Sequence, residues 1–234
     1  KLRFALSLPL LCRYPVYAGS LLKHGIEERM TPNSPRRNRE FRAAQALGLH
    51  SPRDDSRPHS RNAEQVVLVN NAGSLGDVAP TGRIEDRQTV KAIQLNMLAP
   101  MILTNSFFRS YCPHPAKALV INISSGAGKY PVDGWSTYCS SKAGLDMFTQ
   151  VTAKEMEMRE RDGHCKIFAI APGIVDTAMQ DHIRNQTEKD FSRVEEFRNY
   201  KREGQLASPE NVAEKMLHVM DYPDEYSETV FRLS

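Results

Sequence analysis

The chain lacks several features that would assign it to common classes of protein. Its 234 residues contain no apolar run as long as the ~20 residues that a membrane-spanning helix needs. The four cysteines show no Cys-x-x-Cys spacing, so we expect reduced thiols in an intracellular protein and no metal site. The seven histidines lack ligand spacing as well, and surface positions are expected for them.

A strong excess of charge of one sign is also lacking. The 31 Lys and Arg residues against 28 Asp and Glu leave a formal charge of +3. Residues 1–62 hold 12 basic and 5 acidic residues, which is +7, so the remainder of the chain carries −4. The basic character therefore belongs to the N-terminal segment, and we expect no nucleic-acid partner and no membrane partner.

The N-terminal segment differs in composition from the rest. Residues 31–61 are rich in Pro, Arg, Ser and Asn and poor in large apolar residues, which is typical of a disordered or loosely packed segment. Residues 1–18 imitate a short signal peptide, although Arg13 interrupts the apolar run, and a mitochondrial presequence is the comparable alternative. We predict an atypical, poorly ordered segment over residues 1–62 and one folded domain over residues 63–234.

Strand and helix signals alternate from residue 65 onward. Short β-branched runs predict buried strands at residues 65–69, 118–123 and 166–170. Longer stretches predict helices at residues 86–111, divided near Pro100, and at 136–161. Further helices are expected at residues 192–202 and 209–220, the latter capped by Ser208, and a last strand at 228–233. We therefore predict an α/β doubly wound parallel sheet, Rossmann-like, in a single domain with an atypical or incomplete N-terminal part.

Tyr138 and Lys142 carry the chemistry that the sequence indicates most directly. A phenol is a poor acid at neutral pH because it titrates near pH ~10. A lysine four residues later lies on the same helix face, and its ammonium favours the phenolate, so we expect a lowered pKa for Tyr138. Ser125, after the preceding strand, can polarise a carbonyl that Tyr138 protonates. These three groups predict a carbonyl reductase.

Five short motifs follow one another in a fixed order. They are Asn71-Ala72-Gly73, Asn96, Ile121-Asn122-Ile123-Ser124-Ser125, Tyr138-Cys139-Ser140-Ser141-Lys142 and Pro172-Gly173-Ile174-Val175-Asp176-Thr177. In this order they resemble the short-chain dehydrogenase/reductase family. Residues 70–78, 134–135, 146–147 and 176–180 are similar to its sepiapterin reductase-like members. The resemblance runs from about residue 66 to about residue 225.

The resemblance implies a catalytic site of four residues. Tyr138 would be the general acid, Lys142 would also bind the nicotinamide ribose, and Asn96 would hold a relay water. Ser124 and Ser125 compete for the carbonyl, and the family's spacing of thirteen residues before the tyrosine favours Ser125. The catalytic residues implied are Ser125, Tyr138, Lys142 and Asn96.

The same resemblance implies where the cofactor, NADP, and the substrate would bind. Ligands of doubly wound sheets bind beyond the carboxyl ends of the strands, where all of these motifs fall. The cofactor-binding residues implied are Asn71, Ala72, Gly73, Tyr138, Lys142, Val175 and Thr177. The substrate-binding residues implied are Ser125, Tyr138, Gly173 and Trp135, with no metal.

Two features that the family implies are missing. No stretch matches its Thr-Gly-x-x-x-Gly-x-Gly loop, which cradles the cofactor pyrophosphate, and Gly19 and Gly25 each stand alone. Sepiapterin reductases anchor the pterin with a carboxylate near the last strand, and residues 226–234 hold no aspartate. We interpret the residues before Ala63 as something other than the native N-terminal half-domain, and we expect weak NADPH binding.

The function expected from these features is NADPH-dependent reduction of a ketone or dicarbonyl, with sepiapterin as one candidate substrate. The alternative is a non-catalytic reductase-like chain that acts through subunit association. The family implies a homodimer formed by the helices around residues 96–111 and 136–157, to which Met147, Phe148, Val151 and Met156 would add apolar surface. We expect a cytoplasmic location, because a nicotinamide enzyme needs a compartment that contains its cofactor.

Overall fold

The computed structural model describes residues 16–18, 64–113, 116–159 and 164–233. Its five strands are β1 (Val16–Ala18), β2 (Gln65–Asn70), β3 (Lys117–Ile123), β4 (Cys165–Ala171) and β5 (Val230–Arg232). Its α-helices are α1 (Asp86–Ile93), α2 (Ala99–Tyr111), α3 (Ser136–Arg159), α4 (Ala178–Arg184), α5 (Val194–Arg202) and α6 (Pro209–Asp221). None of the described helices is both long and apolar enough to cross a membrane.

The strands form one parallel sheet in the order β1-β2-β3-β4-β5. Parallel neighbours need crossover connections, and here the crossovers from β2 to β5 contain helices, as the alternating pattern predicted. The predicted doubly wound α/β fold is therefore confirmed. A short strand at residues 16–18 also lies beside β2, within the segment for which no strand was predicted. The other predictions for residues 1–62 lie outside the described residues and stay predictions.

Successive residues of the central strands point to opposite faces of the sheet, and both faces are covered. On one face Val66, Val120 and Ile167 pack against α2 through residues such as Phe107 and Leu103. The other face is covered by α6; its strand residues are Val67, Val69, Leu119, Ile121, Phe168 and Ile170. Burial on both sides explains why these strands read as continuous apolar runs and not as alternating patterns.

The helical stretch 86–111 is divided as predicted, with the division just before Pro100. A π-helical turn, Gln94–Leu98, separates α1 from α2, and the Ala99 N–H bonds to the Gln94 carbonyl five residues back. Pro100 has no N–H to donate to the Asn96 carbonyl, so the regular α-helical hydrogen-bond pattern is interrupted at this point. Ser208 caps α6, also as predicted, by accepting a 3.2 Å hydrogen bond from the Asn211 N–H.

The expectation of reduced thiols is wrong for one pair of cysteines. Cys112 at the end of α2 forms a disulfide with Cys165 at the start of β4, with their Cα atoms 6.0 Å apart. The two residues are 53 positions apart in sequence, and the fold of the α2–β3–α3–β4 region brings them together. Cys139 is a free thiol, and Cys12 lies outside the described residues.

Candidate active site

A buried polar ladder holds the carboxyl ends of β2 and β3 against the helices. The Asn70 side-chain amide donates to Asn122 Oδ1 at 2.8 Å, and the Asn122 amide donates to Thr149 Oγ1 of α3 at 2.9 Å. Asn70 and Asn122 are register partners on adjacent strands. Because buried amides are costly unless they are hydrogen-bonded, this ladder fixes the edge of the sheet from which the candidate site projects.

Asn96 links the loop after β2 to α3. It is completely buried, its Oδ1 accepts from the Ser74 N–H at 2.9 Å, and its amide donates to the Ser74 carbonyl at 2.8 Å and to Ser141 Oγ at 3.0 Å. The side chain therefore imitates a backbone pairing for the residue that follows Gly73. Asn96 makes these bonds to the loop from within the π-helical turn.

The two serines after β3 have separate partners. Ser124 is buried, and its hydroxyl donates to the Asp146 carboxylate of α3. Ser125 is half-buried, caps the following 3-10 turn by accepting from the Ala127 N–H at 3.3 Å, and forms a hydrogen bond with the Tyr138 phenol. Ser125 is thus the serine beside the tyrosine, and Ser124 has a structural partner instead.

Lys142 is the buried cation of the site. Its ammonium donates a 2.7 Å hydrogen bond to the Ile123 carbonyl and lies 5.7 Å from the centre of the Tyr138 ring. A Cβ placed on Gly73 would lie 3.8 Å from the same nitrogen, so the loop after β2 reaches the lysine. Tyr138, Lys142, Ser125 and Gly73 are therefore neighbours, as the order of the motifs predicted.

Burial governs the ionisation of the candidate catalytic pair. Removal from water lowers the pKa of the Lys142 ammonium from its ordinary 10.5 to about 8, and the nearby Asp146 carboxylate offsets part of this fall. Burial likewise raises the pKa of the Tyr138 phenol above its ordinary value, and the Ser125 hydrogen bond offsets only part of the rise. The expected lowering of the Tyr138 pKa by Lys142 is wrong for the chain by itself, because burial of the phenol has the largest effect on this pKa and raises it.

The loop after β4 is held by a different part of the chain. The Ile174 carbonyl and the Asp176 N–H both pair with Ala207, and Val175 forms an isolated parallel bridge to the same residue. Thr177 precedes α4, and its carbonyl accepts from the Gln180 N–H at 2.9 Å. In the described part of the chain no hydrogen bond joins Val175 or Thr177 to Tyr138 or Lys142. Their predicted roles therefore depend on a ligand that spans the loop and the lysine.

Gly173 and Trp135 flank the site in different ways. Gly173 is exposed with φ +83°, a backbone conformation that suits glycine, and a Cβ there would lie 3.5 Å from the Arg232 guanidinium. Trp135 is buried, and its ring meets the Tyr138 ring edge-on with centroids 5.8 Å apart. Tyr130, in the loop before α3, is 70% exposed.

Sequence reasoning missed three supporting residues. Asp146 lies one helical turn after Lys142, and this i, i+4 spacing was the available signal for the carboxylate that offsets the fall in the Lys142 pKa. Asn122 stands as a polar residue within an apolar strand, which points to a specific buried partner. Ser141, the partner of Asn96, carries no signal beyond its place next to Lys142.

A family model described as short chain dehydrogenase matches residues 63–188, which include Asn96, Ser125, Tyr138 and Lys142. This chain belongs to the short-chain dehydrogenase family. Family members are oxidoreductases that use nicotinamide cofactors, and the stretch from Tyr138 to Lys142 lies within the matched part.

Relatives within the family include two kinds of reductase. A benzil reductase ((S)-benzoin forming) of Bacillus cereus is 42% identical over 160 residues, which cover 68% of this chain and 64% of that protein. A sepiapterin reductase of Xenopus tropicalis is 31% identical over 163 residues, covering 68% of this chain and 59% of that protein. Both resemblances therefore span less than two thirds of the relatives' own length.

Solved structures of the family resemble the chain to a similar extent. A short chain dehydrogenase/reductase from Saccharomyces cerevisiae superposes with a TM-score of 0.60 at 27% identity. The superposition covers 73% of this chain and 66% of that structure.

Proposed function

We propose that this chain carries the Ser-Tyr-Lys site of an NADPH-dependent carbonyl reductase that acts on a ketone or dicarbonyl. The observation that carries the proposal is the group of Ser125, Tyr138 and Lys142 at the carboxyl edge of the sheet. The phenol is bound to the serine, and the ammonium is held beside the tyrosine ring by the Ile123 carbonyl. The benzil and sepiapterin reductases are named for carbonyl substrates, which supports the same chemistry.

The residues present fit the nicotinamide half of the cofactor. Lys142 uses one of its three N–H donors on Ile123, so two remain for ribose hydroxyls. Asn71, Ala72 and Gly73 are exposed beside it and present backbone with little side-chain bulk. A bound nicotinamide cofactor would supply the hydride that reaches the carbonyl carbon.

The chain's own residues would handle the carbonyl oxygen. Ser125 and Tyr138 donate hydrogen bonds to this oxygen, which stabilises the negative charge that develops there. Tyr138 then gives its proton to the alkoxide, and Lys142 stabilises the phenolate left behind. Burial keeps the phenol protonated before the reaction, because it raises the pKa of Tyr138.

The proposal is tested by the NADPH-dependent reduction of benzil and of sepiapterin, followed by loss of NADPH absorbance. Tyr138→Phe should abolish turnover while sparing the fold and much of the ligand binding, because it removes only the transferable proton. A Tyr130→Phe variant is the matched control, since Tyr130 is exposed and removal of its hydroxyl should leave the rate unchanged. Near-full activity of Tyr138→Phe would refute the assigned mechanism. Parallel assays with NADH test the proposed preference for the phosphorylated cofactor.

Subunit association is a second candidate function, and it is favoured by exposed apolar side chains on α3 and on the neighbouring helical stretch. Met147 and Val151 of α3 are 59% and 50% exposed, and Leu98 and Ile102 on the neighbouring helical stretch are each 46% exposed. Met156, which was expected to join this surface, instead packs against the core. A homodimer formed through these helices would bury the exposed residues. Size-exclusion chromatography with light scattering measures the oligomeric state, and a folded monomer would count against the homodimer.

A further inference from the structure

Trp135 carries a buried hydrogen-bond donor without an acceptor. The residue is 7% exposed, and its indole Nε1 is buried with no hydrogen-bond partner among the described residues. Buried tryptophans usually find an acceptor for this N–H, and an unsatisfied buried donor costs about 1–3 kcal/mol. The indole N–H is therefore a buried donor that the described residues leave unpaired.

The surroundings of the indole are aromatic and adjoin the candidate catalytic tyrosine. The Trp135 ring is stacked on Phe191 with centroids 5.1 Å apart and meets Phe197 edge-on at 5.6 Å. Tyr138 closes another side at 5.8 Å, and its phenol forms a hydrogen bond with Ser125. The donor thus lies in an apolar cluster next to the group that would protonate the reacting carbonyl.

We propose that the Trp135 N–H binds a second oxygen of the substrate, so that the site selects aryl 1,2-dicarbonyl compounds over simple ketones. The inference rests on the proposed function and deepens it. Ser125 and Tyr138 take the reacting carbonyl, and the adjacent carbonyl of the same molecule accepts from the indole. A simple ketone of the same shape leaves the buried N–H unpaired, and sites built to hydrogen-bond a group discriminate against analogues that lack it.

The chain has a single tryptophan, which gives a direct test by NMR. The full chain labelled with ¹⁵N-tryptophan shows one indole N–H resonance, whose proton moves downfield when it donates to a carbonyl oxygen. In the presence of NADP⁺, benzil should move this proton further than deoxybenzoin, which has the same two rings and a methylene in place of one carbonyl. Equal shifts with the two compounds, or no shift with either, would overturn the inference.

Kinetics give a second readout. Trp135→Phe keeps an aromatic ring but removes the N–H, so the ratio of kcat/KM for benzil over deoxybenzoin should fall about tenfold, which corresponds to about 1.4 kcal/mol. Phe197→Leu disturbs the same cluster but keeps the N–H, and the ratio should stay within about twofold. An unchanged ratio in Trp135→Phe contradicts the inference.

The two proposals fail in different ways. If neither compound is reduced by the intact chain, the proposed reductase activity is wrong, while the NMR titration still decides whether Trp135 binds the second carbonyl. If benzil is reduced but the indole proton shifts equally with both compounds, the reductase proposal stands and the role of Trp135 is wrong.

Discussion

Replacing Lys142 by methionine should change how the stability of the protein depends on pH. The pKa of the buried ammonium is about 8 in the folded chain against an ordinary value of 10.5. Above pH 8 the unfolded chain therefore holds more protons at this position than the folded chain, and the free energy of unfolding rises with pH until about pH 10.5. Between pH 7 and pH 10 the two pKa values make this position contribute a rise of roughly 2–3 kcal/mol in the wild type.

Lys142→Met has no titrating group at this position and should lack that rise. At pH 7 the variant avoids the burial of a charge but leaves the Ile123 carbonyl without its donor, so the two effects oppose each other. The quantity to measure is therefore how the difference in unfolding free energy between variant and wild type changes with pH. From pH 7 to pH 10 this difference should move in favour of the wild type by roughly 2–3 kcal/mol.

Urea unfolding at pH 7, 8, 9 and 10, followed by the fluorescence of the single tryptophan, measures this change. Lys154→Met is the control, because Lys154 is exposed on the same helix and its ammonium stays in water. Its curve should run parallel to that of the wild type. Parallel curves for Lys142→Met and the wild type would show that the Lys142 ammonium is not desolvated in the folded protein, which would contradict the lowered pKa of Lys142.

Two further predictions concern stability. Gly134 has φ +73°, and a Cβ at this position would lie 2.3 Å from the Asp190 carbonyl oxygen. A strained backbone alone costs roughly 1–3 kcal/mol, and the steric clash adds to it, so Gly134→Ala should lower the free energy of unfolding by more than this amount. Gly204→Ala is the control, because Gly204 has φ +67° but open space around its Cβ, so this variant has the backbone strain without the clash. Equal losses of unfolding free energy in the two variants, measured by urea unfolding, would contradict the steric clash. Reduction of the Cys112–Cys165 disulfide, which closes a loop of sequence separation 53, should lower the free energy of unfolding by roughly 4 kcal/mol on the chain-entropy account. An unchanged urea midpoint after treatment with dithiothreitol would contradict this.

Regular elements were predictable where burial leaves a pattern in the sequence. β2, β3 and β4 lie within two residues of their predicted bounds, because strands buried on both faces are apolar throughout. α4 was missed, because its seven residues are too few to show a period. β1 was missed because three residues are too few to show a strand pattern, and its pairing with β2 depends on contacts distant in sequence.

The candidate site was predictable in its membership but not in its energetics. Parallel strands bring their carboxyl ends to one edge, so motifs that follow successive strands must converge, and Ser125, Tyr138 and Lys142 do so. The direction of the Tyr138 pKa was not predictable, because it depends on how deeply the phenol is buried by residues such as Trp135. The partner of Cys112 was equally hidden, since four cysteines permit several pairings and spacing does not choose among them.

The strand at residues 16–18 determines at which edge of the sheet the following residues begin. Ala18 pairs with Val69, so the chain leaves β1 at the same edge of the sheet from which Asn71 and Gly73 project. The next residues place Gly19 and Gly25 six positions apart, as are the first and last glycines of the family's Thr-Gly-x-x-x-Gly-x-Gly loop, with Lys23 at the position of the middle glycine. No stretch of the chain matches the full loop pattern, but Gly19 and Gly25 provide two of its three glycines at the family's spacing.

This partial match leads to a prediction for cofactor affinity. The middle glycine lets the backbone approach the pyrophosphate, so Lys23→Gly should tighten NADPH binding by about tenfold in titration calorimetry. Lys23→Ala is the matched control, because it removes the same charge but keeps a Cβ, and it should gain much less. If both variants bind NADPH as the wild type does, residues 19–25 do not act as a phosphate loop, and the weak binding expected from the sequence has another cause. If both bind more weakly, the Lys23 ammonium itself holds the phosphate and takes the part that the glycine has in the rest of the family.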